Sequence, residues 1–444
     1  MKKLLFTLVC VYMLVCNFAQ AQNKPLLDSA ALTQKKTFTS FKEALKTPLE
    51  VYKLSSINED LTEVSKEIPK LQNLMLLDII NTSATTLPKE IGDLSNLIML
   101  GLWNNSKLKY LPKEIGKLSR LEALYLAGGS ISTLPTEIWQ LKKLKFFFLS
   151  MDNITSIKGI ENLTNLEDIQ LYVHLKTDEI PVEISKLKKL KRMRIRSSEN
   201  LAKLLKIKAL DNLEELLLIY YDNIINFPTE IWQLKKLKKL DLSDTNITSL
   251  PAEIGNLGSL EELLLVRCTE FISLPAEIGK LKKLRKLNMS NCRKYAVLPN
   301  EIGDLSNLEE LHLLNCEKIT TLPTTIGKLQ KLKKIDLNFC DIINLPKEIG
   351  NLISLEELSL ARSRINSLPI EIGQLKNLKI LNIHSTNISN LPVEIGNLSS
   401  LENLQISYNG EITSLPAEIG NLKNLKALGL DGLTIKEIDR KSVV

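Results

Sequence analysis

Apolar residues recur along the chain in a fixed frame, Leu-x-x-Leu-x-Leu. Leu260-x-x-Leu263-x-Leu265 is followed by Leu284-x-x-Leu287-x-Met289, Leu308-x-x-Leu311-x-Leu313 and Leu332-x-x-Ile335-x-Leu337. The same frame starts at Leu74, Leu97, Leu121, Leu144, Leu166, Leu190, Leu213 and Leu237, and again at Leu355, Leu378, Leu401 and Leu425. Leu49-x-x-Tyr52-x-Leu54 is a degenerate first copy. The step is about 23 residues, a period typical of stacked repeats. The x-Leu-x-Leu-x alternation predicts a short strand with both leucines inward and the residues between them on the opposite face. The second half of each copy reads LPxEIGxL, as in Leu250-Pro251-Ala252-Glu253-Ile254-Gly255. Pro251 is expected at the first position of a short helical turn, Glu253 in its first turn and Gly255 at its end in a left-handed conformation. Ile254, Leu257 and Leu260, three apart, give that turn a face toward the core. One copy cannot bury its apolar face alone, so its neighbours must supply the other wall.

This frame resembles the leucine-rich repeat, L-x-x-L-x-L-x-x-N/C-x-L, and its LPxEIGxL half resembles the repeats of Ras-group scaffolds and many bacterial secreted proteins. The resemblance implies an α/β fold, a leucine-rich repeat solenoid shaped as a horseshoe. A parallel β-sheet would form the concave face, with short helical or 3-10 turns on the convex face. Residues 49–433 would make 16–17 turns. Two copies, Ile157-Lys158-Gly159-Ile160 and Leu205-Lys206-Ile207-Lys208, lack the proline and look more like internalin-type repeats.

The ends read differently. Lys2 and Lys3, the apolar run Leu4 to Val15 and the small-x-small site Ala19-Gln20-Ala21 form a signal peptide over residues 1–21, so an exported bacterial protein is expected. The apolar run is too short for a membrane span. Residues 22–48 are expected to cap the first turn, with Thr39-Ser40 opening an amphipathic helix at Phe41. Residues 434–444, with Ile435 and Ile438, are left as a short C-terminal cap.

Composition adds little that the period does not already say. The 444 residues are 44% hydrophobic and only 5% aromatic, which fits a Leu- and Ile-based repeat core. Cys268, Cys292, Cys316 and Cys340 are spaced at the solenoid pitch and occupy the N/C column, where other turns place Asn105, Asn409, Thr82, Thr245, Ser363 and Thr386. Four successive turns at ~5 Å spacing span about 15 Å, so these sulfurs cannot converge on one zinc ion. Side chains held parallel at ~5 Å are also too far apart for an ordinary disulfide, so four free, buried thiols are expected.

Charge is patterned by the same pitch. The residue after the first Leu of each frame alternates: Glu122, Lys145, Glu167, Lys191, Glu214, Lys238, Glu261, Arg285, Glu309, Lys333, Glu356, Lys379, Glu402, Lys426. A second column alternates from Asp168 and Arg192 to Lys334 and Glu357. Runs such as LKKLKKL therefore read as a solvated face whose lysines neighbour glutamates, not as a nucleic-acid surface. The net charge of +7 implies no polyanionic partner once it is spread in this way.

Chemistry is sparse. His174, His312 and His384 fall in separate turns, the Glu residues of EIG are periodic, and no phosphate loop, kinase signature or nucleophile motif is present. No enzyme, cofactor or metal site is expected. The positions between and beside the inward leucines are the candidate binding surface. In the N-terminal half they are apolar and aromatic: Ile80, Trp103, Tyr125, Phe146, Phe148 and Tyr172. Arg194, Arg196, Leu217, Ile219 and Tyr220 follow. Aromatics with arginines suit a protein partner's hot spot; alternatively, the rings pack on one another and shield the sheet. The reading is a monomeric, non-catalytic protein-interaction module without nucleic-acid or membrane-spanning function. The alternatives are an adhesin or glycan-binding surface protein, or an intracellular scaffold if the N-terminus is retained. N-terminal sequencing of the exported protein is expected to begin at Gln22; an uncleaved Met1 would leave the scaffold reading.

Overall fold

The computed structural model describes residues 29–154, 156–173, 182–196, 210–219 and 229–434. The expected signal peptide, the Leu205–Lys208 copy, His174, Tyr220 and the expected Ile435 and Ile438 cap lie outside the described residues. The chain divides into two units, residues 1–190 and 191–444.

The first unit opens with α1 (Ser29–Gln34), β1 (Thr37–Phe38) and α2 (Phe41–Ala44). The Ser40 hydroxyl accepts the Glu43 N–H at 3.1 Å, which caps this short helix, and Phe41 and Ala44 on it are buried. β1 pairs in parallel with β2 (Lys53–Ile57), an added strand that the sequence pattern did not indicate. β3 (Leu76–Ile80), β4 (Met99–Trp103), β5 (Ala123–Ala127), β6 (Phe146–Ser150) and β7 (Asp168–Tyr172) then pair in parallel, each with the next. The second unit begins with β8 (Arg192–Arg196) and β9 (Glu215–Ile219). Shorter strands follow, from β10 (Lys239–Asp241) to β18 (Ala427–Gly429), again parallel neighbour to neighbour. This is the fold of a leucine-rich solenoid: the inward leucines are buried and 3-10 turns close the other side of each unit.

The strands shorten for a local reason. In β10, Asp241 Oδ1 accepts the Ser243 N–H at 3.0 Å, and Asn288, Asp336 and Asn382 cap the residue two ahead in the same way. A side chain that takes the next ladder N–H ends the strand there. β5 (Ala123–Ala127) and β6 (Phe146–Ser150) place Tyr125 and Phe148 in that column, and these two strands run on for five residues.

Two expectations about the 3-10 turn are corrected. Pro251 precedes the turn in an extended conformation (φ −77°, ψ 163°), so the proline caps it, and Ala252 is its first residue. The glycine of EIG is not left-handed. It is small because the next turn lies against it: a Cβ on Gly279 would stand 2.8 Å from the Glu301 carbonyl oxygen, and one on Gly350 2.6 Å from that of Glu371. The left-handed residue stands elsewhere, one place before the N/C column. Asn81, Asn104, Asp244, Arg267, Asn291, Asn315, Phe339, Arg362, Ser385 and Tyr408 all have φ between +53° and +65°. Asn tolerates this well; Phe, Arg and Tyr do so at a cost. Gly159 (φ +103°) supplies the turn that lacks proline and lies against the Trp139 indole.

At its cysteine and asparagine steps the N/C column is a hydrogen-bonded ladder, whereas the buried Ser363 hydroxyl has no such partner among the described residues. Cys292, Cys316 and Cys340 direct their S–H to the carbonyls of Leu265, Met289 and Leu313 at 3.0–3.1 Å, and Cys268 to Leu242 at 3.2 Å. Asn105 and Asn409 make the equivalent bonds to Ile79 and Ile383. All four cysteines are free and buried. Burial pushes the Cys316 thiol up to about 12 and that of Cys340 still higher.

The charge ladder forms between turns. Lys145 pairs with Glu122 at 2.9 Å, Lys286 with Glu310 at 2.7 Å, and Glu309 lies between Arg285 (2.7 Å) and Lys333 (2.8 Å). Those two cations hold the Glu309 carboxyl down to about 2. Its contribution to stability is therefore present above the ordinary carboxylate range and fades as pH falls toward 2. A further alternation joins Asn and Lys: Asn307 donates to the Lys282 carbonyl at 2.7 Å and accepts from Lys331 at 2.6 Å.

Two outcomes are expected. A thiol reagent added to native protein leaves the four ladder cysteines unmodified and reaches all four in denaturant; rapid native labelling would contradict this arrangement. Ser385→Asn relieves the left-handed strain and raises stability by up to about 1 kcal/mol, read as a higher urea midpoint at unchanged slope.

Candidate interaction surface

On β2–β7 of the first unit, positions one, three and five face away from the buried leucines. Register aligns them into columns. The middle column reads Ser55, Asp78, Gly101, Tyr125, Phe148, Gln170, and the far column ends in Ile80, Trp103, Ala127, Ser150, Tyr172. Phe146 opens the near column of β6, beside Ala123 and Asp168.

This spacing gathers five rings into one network. Tyr125 lies 4.8 Å from Phe146 and 5.3 Å from Trp103, centroid to centroid. Phe148 lies 6.1 Å from Trp103 and 5.5 Å from Tyr172. All are tilted pairs, a favourable arrangement for ring quadrupoles. The rings divide by depth. Phe146 is 1% exposed and Tyr125 3%, so they form the floor with Met99. Trp103, Phe148 and Tyr172 keep part of their surface open. Ring-on-ring packing and an open apolar surface thus coexist at one place.

Two residues outside the aromatic pattern position this network. The Trp103 indole N–H donates to Asp78 Oδ1 at 2.7 Å, reaching back across one strand. Gly101 stands between them, and a Cβ there would collide with both the Asp78 carboxylate and the indole nitrogen. Burial raises the Asp78 carboxyl to about 6, although the indole bond opposes that shift. Burial, with Asp78 and Asp168 near by, also pushes the Tyr125 phenol upward. Asp78 was legible in principle: it is the one acid in the apolar run from Leu74 to Ile80.

The remaining candidates lie in the second unit. Arg194 is in register with Leu217, and Arg196 with Ile219. Leu217 is buried, Arg194 half-buried and Arg196 exposed. Farther along, the left-handed column presents paired side chains that sequence reading passed over. Arg267 is forked onto Asp244, and the Arg362 guanidinium sits 5.2 Å over the Phe339 ring. Exposed Tyr408 meets His384 edge-on at 5.3 Å. Among the described residues no three metal-ligating side chains cluster, and no helix is long and apolar enough to cross a membrane.

A family model for a leucine-rich repeat region matches residues 89–226, 226–344, 277–367 and 323–440. The chain belongs to the leucine-rich repeat family. A leucine-rich repeat protein of Leptospira interrogans is similar, at 29% identity and a TM-score of 0.65, over 90% of this chain and 95% of that one. A TDR receptor, at 24% identity and a TM-score of 0.61 over 84% of this chain and 66% of that one, shares the fold. A search of curated protein sequences finds no match. The leucine-rich repeat fold is that of a protein-interaction module, generally a scaffold without catalysis.

Gly101→Ala is expected to eject the Trp103 indole from Asp78. Trp103 emission should shift to the red and the near-ultraviolet circular dichroism of the ring network should fall, while Trp139 and Trp232, both buried, stay unchanged. Identical spectra would show that the indole does not depend on the notch.

Proposed function

We propose that this is an exported bacterial leucine-rich repeat protein that holds a protein partner on the concave, strand-lined face, without chemistry of its own. The observation that carries this reading is the ring network. Three partly open aromatic side chains, from three of four consecutive strands, stand on two buried ones. An apolar patch on a rigid sheet, built from side chains with little rotamer entropy left to lose, suits a binding hot spot. Family membership supports an interaction role, and the leader-like residues Lys2 to Ala21 support export.

Cross-linking on intact cells followed by mass spectrometry identifies the partner. Trp103→Ala and Phe148→Ala are each expected to weaken its capture by about tenfold or more. Ile370→Ala, an exposed residue on a 3-10 turn, serves as control and should leave capture intact. Unchanged capture by both aromatic variants would overturn the reading. Capture abolished by glycosidase treatment of the target would replace the protein partner with a glycan.

A further inference from the structure

The open-face positions of β3–β7 hold two carboxylates, Asp78 and Asp168, and no Lys or Arg. The chain as a whole carries 58 Lys and Arg against 51 Asp and Glu, so this face departs from the average in the acidic direction. The ring faces add to the same sign, because an aromatic quadrupole is negative above its plane. Asp78 is bonded through one oxygen to the Trp103 indole, and its other oxygen has no partner among the described residues. The indole is therefore tied with its N–H edge against a carboxylate and part of its ring open. A planar cation stacked on Trp103 would reach the Asp78 carboxylate at the ring's edge.

We propose that the aromatic patch of the first unit receives an arginine side chain of the protein partner, stacked on the Trp103 and Phe148 rings and paired with Asp78. This rests on the reading of that patch as the partner site. A guanidinium fits better than an ammonium because it is flat, weakly hydrated and able to stack and donate at its edge together. The groups facing Asp78 are few. β2 offers Ser55 opposite it and Lys53 nearby, whose ammonium donates to the Thr33 carbonyl. β4 brings Met99, Gly101 and Trp103, β5 brings Tyr125, and Asp168 on β7 is felt through Tyr125. Since Asp78 ionises near 6, the seat is charged at neutral pH and loses its charge below that value. A bound cation would in turn favour the ionised form.

The test uses the full chain and a random peptide library displayed on phage. Peptides selected on the wild-type protein are expected to carry arginine. Replacing that arginine by citrulline should weaken binding about three- to thirtyfold. Asp78→Asn keeps the acceptor for the indole and removes the charge; it should shrink that ratio. Wild-type affinity should fall between about pH 7.5 and about pH 5, and the Asp78→Asn variant should lack that fall. Selected peptides without arginine, or citrulline peptides that bind equally well, would overturn the inference. If Phe148→Ala still abolished their binding, the patch would stand as a neutral apolar site. If Phe148→Ala had no effect, the patch itself would be refuted.

Discussion

No single turn of this protein can bury its own leucines. Each must pass them to the turns on either side, and that one constraint fixes the pitch at which every column of side chains is repeated. Once backbone N–H and carbonyl groups are laddered at that pitch, as from Lys145 to Glu122 or Lys238 to Glu214, equivalent residues become close neighbours for the length of each unit. The charge alternation, the Asn–Lys alternation and the thiol column are all answers to the question of what a residue should be when its neighbour is its own counterpart. Like charges would repel, so they alternate. A donor aimed at the preceding carbonyl satisfies it, so Asn and Cys serve equally well at that step.

The same pitch explains the aromatic network. Rings placed on adjacent strands are brought to contact distance whether or not they serve a ligand, so burial of Tyr125 and Phe146 follows from geometry alone. What geometry does not require is the notch. Gly101 costs a strand some stability, and the space it leaves is filled by an indole and a carboxylate that bond to each other. An ordinary side chain there would occupy the space in which the indole and the carboxylate meet.

The repeat made the strands, the inward leucines, the buried cysteines and the ion-pair columns readable from sequence, because periodicity converts sequence distance into spatial adjacency. Where the period is silent, the reading failed. Nothing in LPAEIG separates a glycine needed for a left-handed turn from one needed for close approach, and only the position of the Glu301 carbonyl beside Gly279 decides it. The true left-handed column was hidden because Phe339, Arg362 and Tyr408 carry no compositional mark of positive φ. Asp78 and Gly101 were missed for a related reason. They act as a pair with Trp103 across two strands, and a search for aromatic content does not register the absence of a side chain.

The thiol column has a consequence for how the protein ages. Each sulfur is protected only while its turn is seated against the next. If a turn opens and an oxidant carries a thiol to the sulfinic stage, the new group is charged, larger and no longer a neutral S–H donor. It cannot return beneath the strand without leaving a charge in an apolar column. A passing excursion would thus become a permanent lesion at one step of the solenoid. Turns that place Asn or Thr at the same step carry no such chemical memory. Among the described residues, 268–340 are therefore the segment in which past local opening would be written into covalent structure.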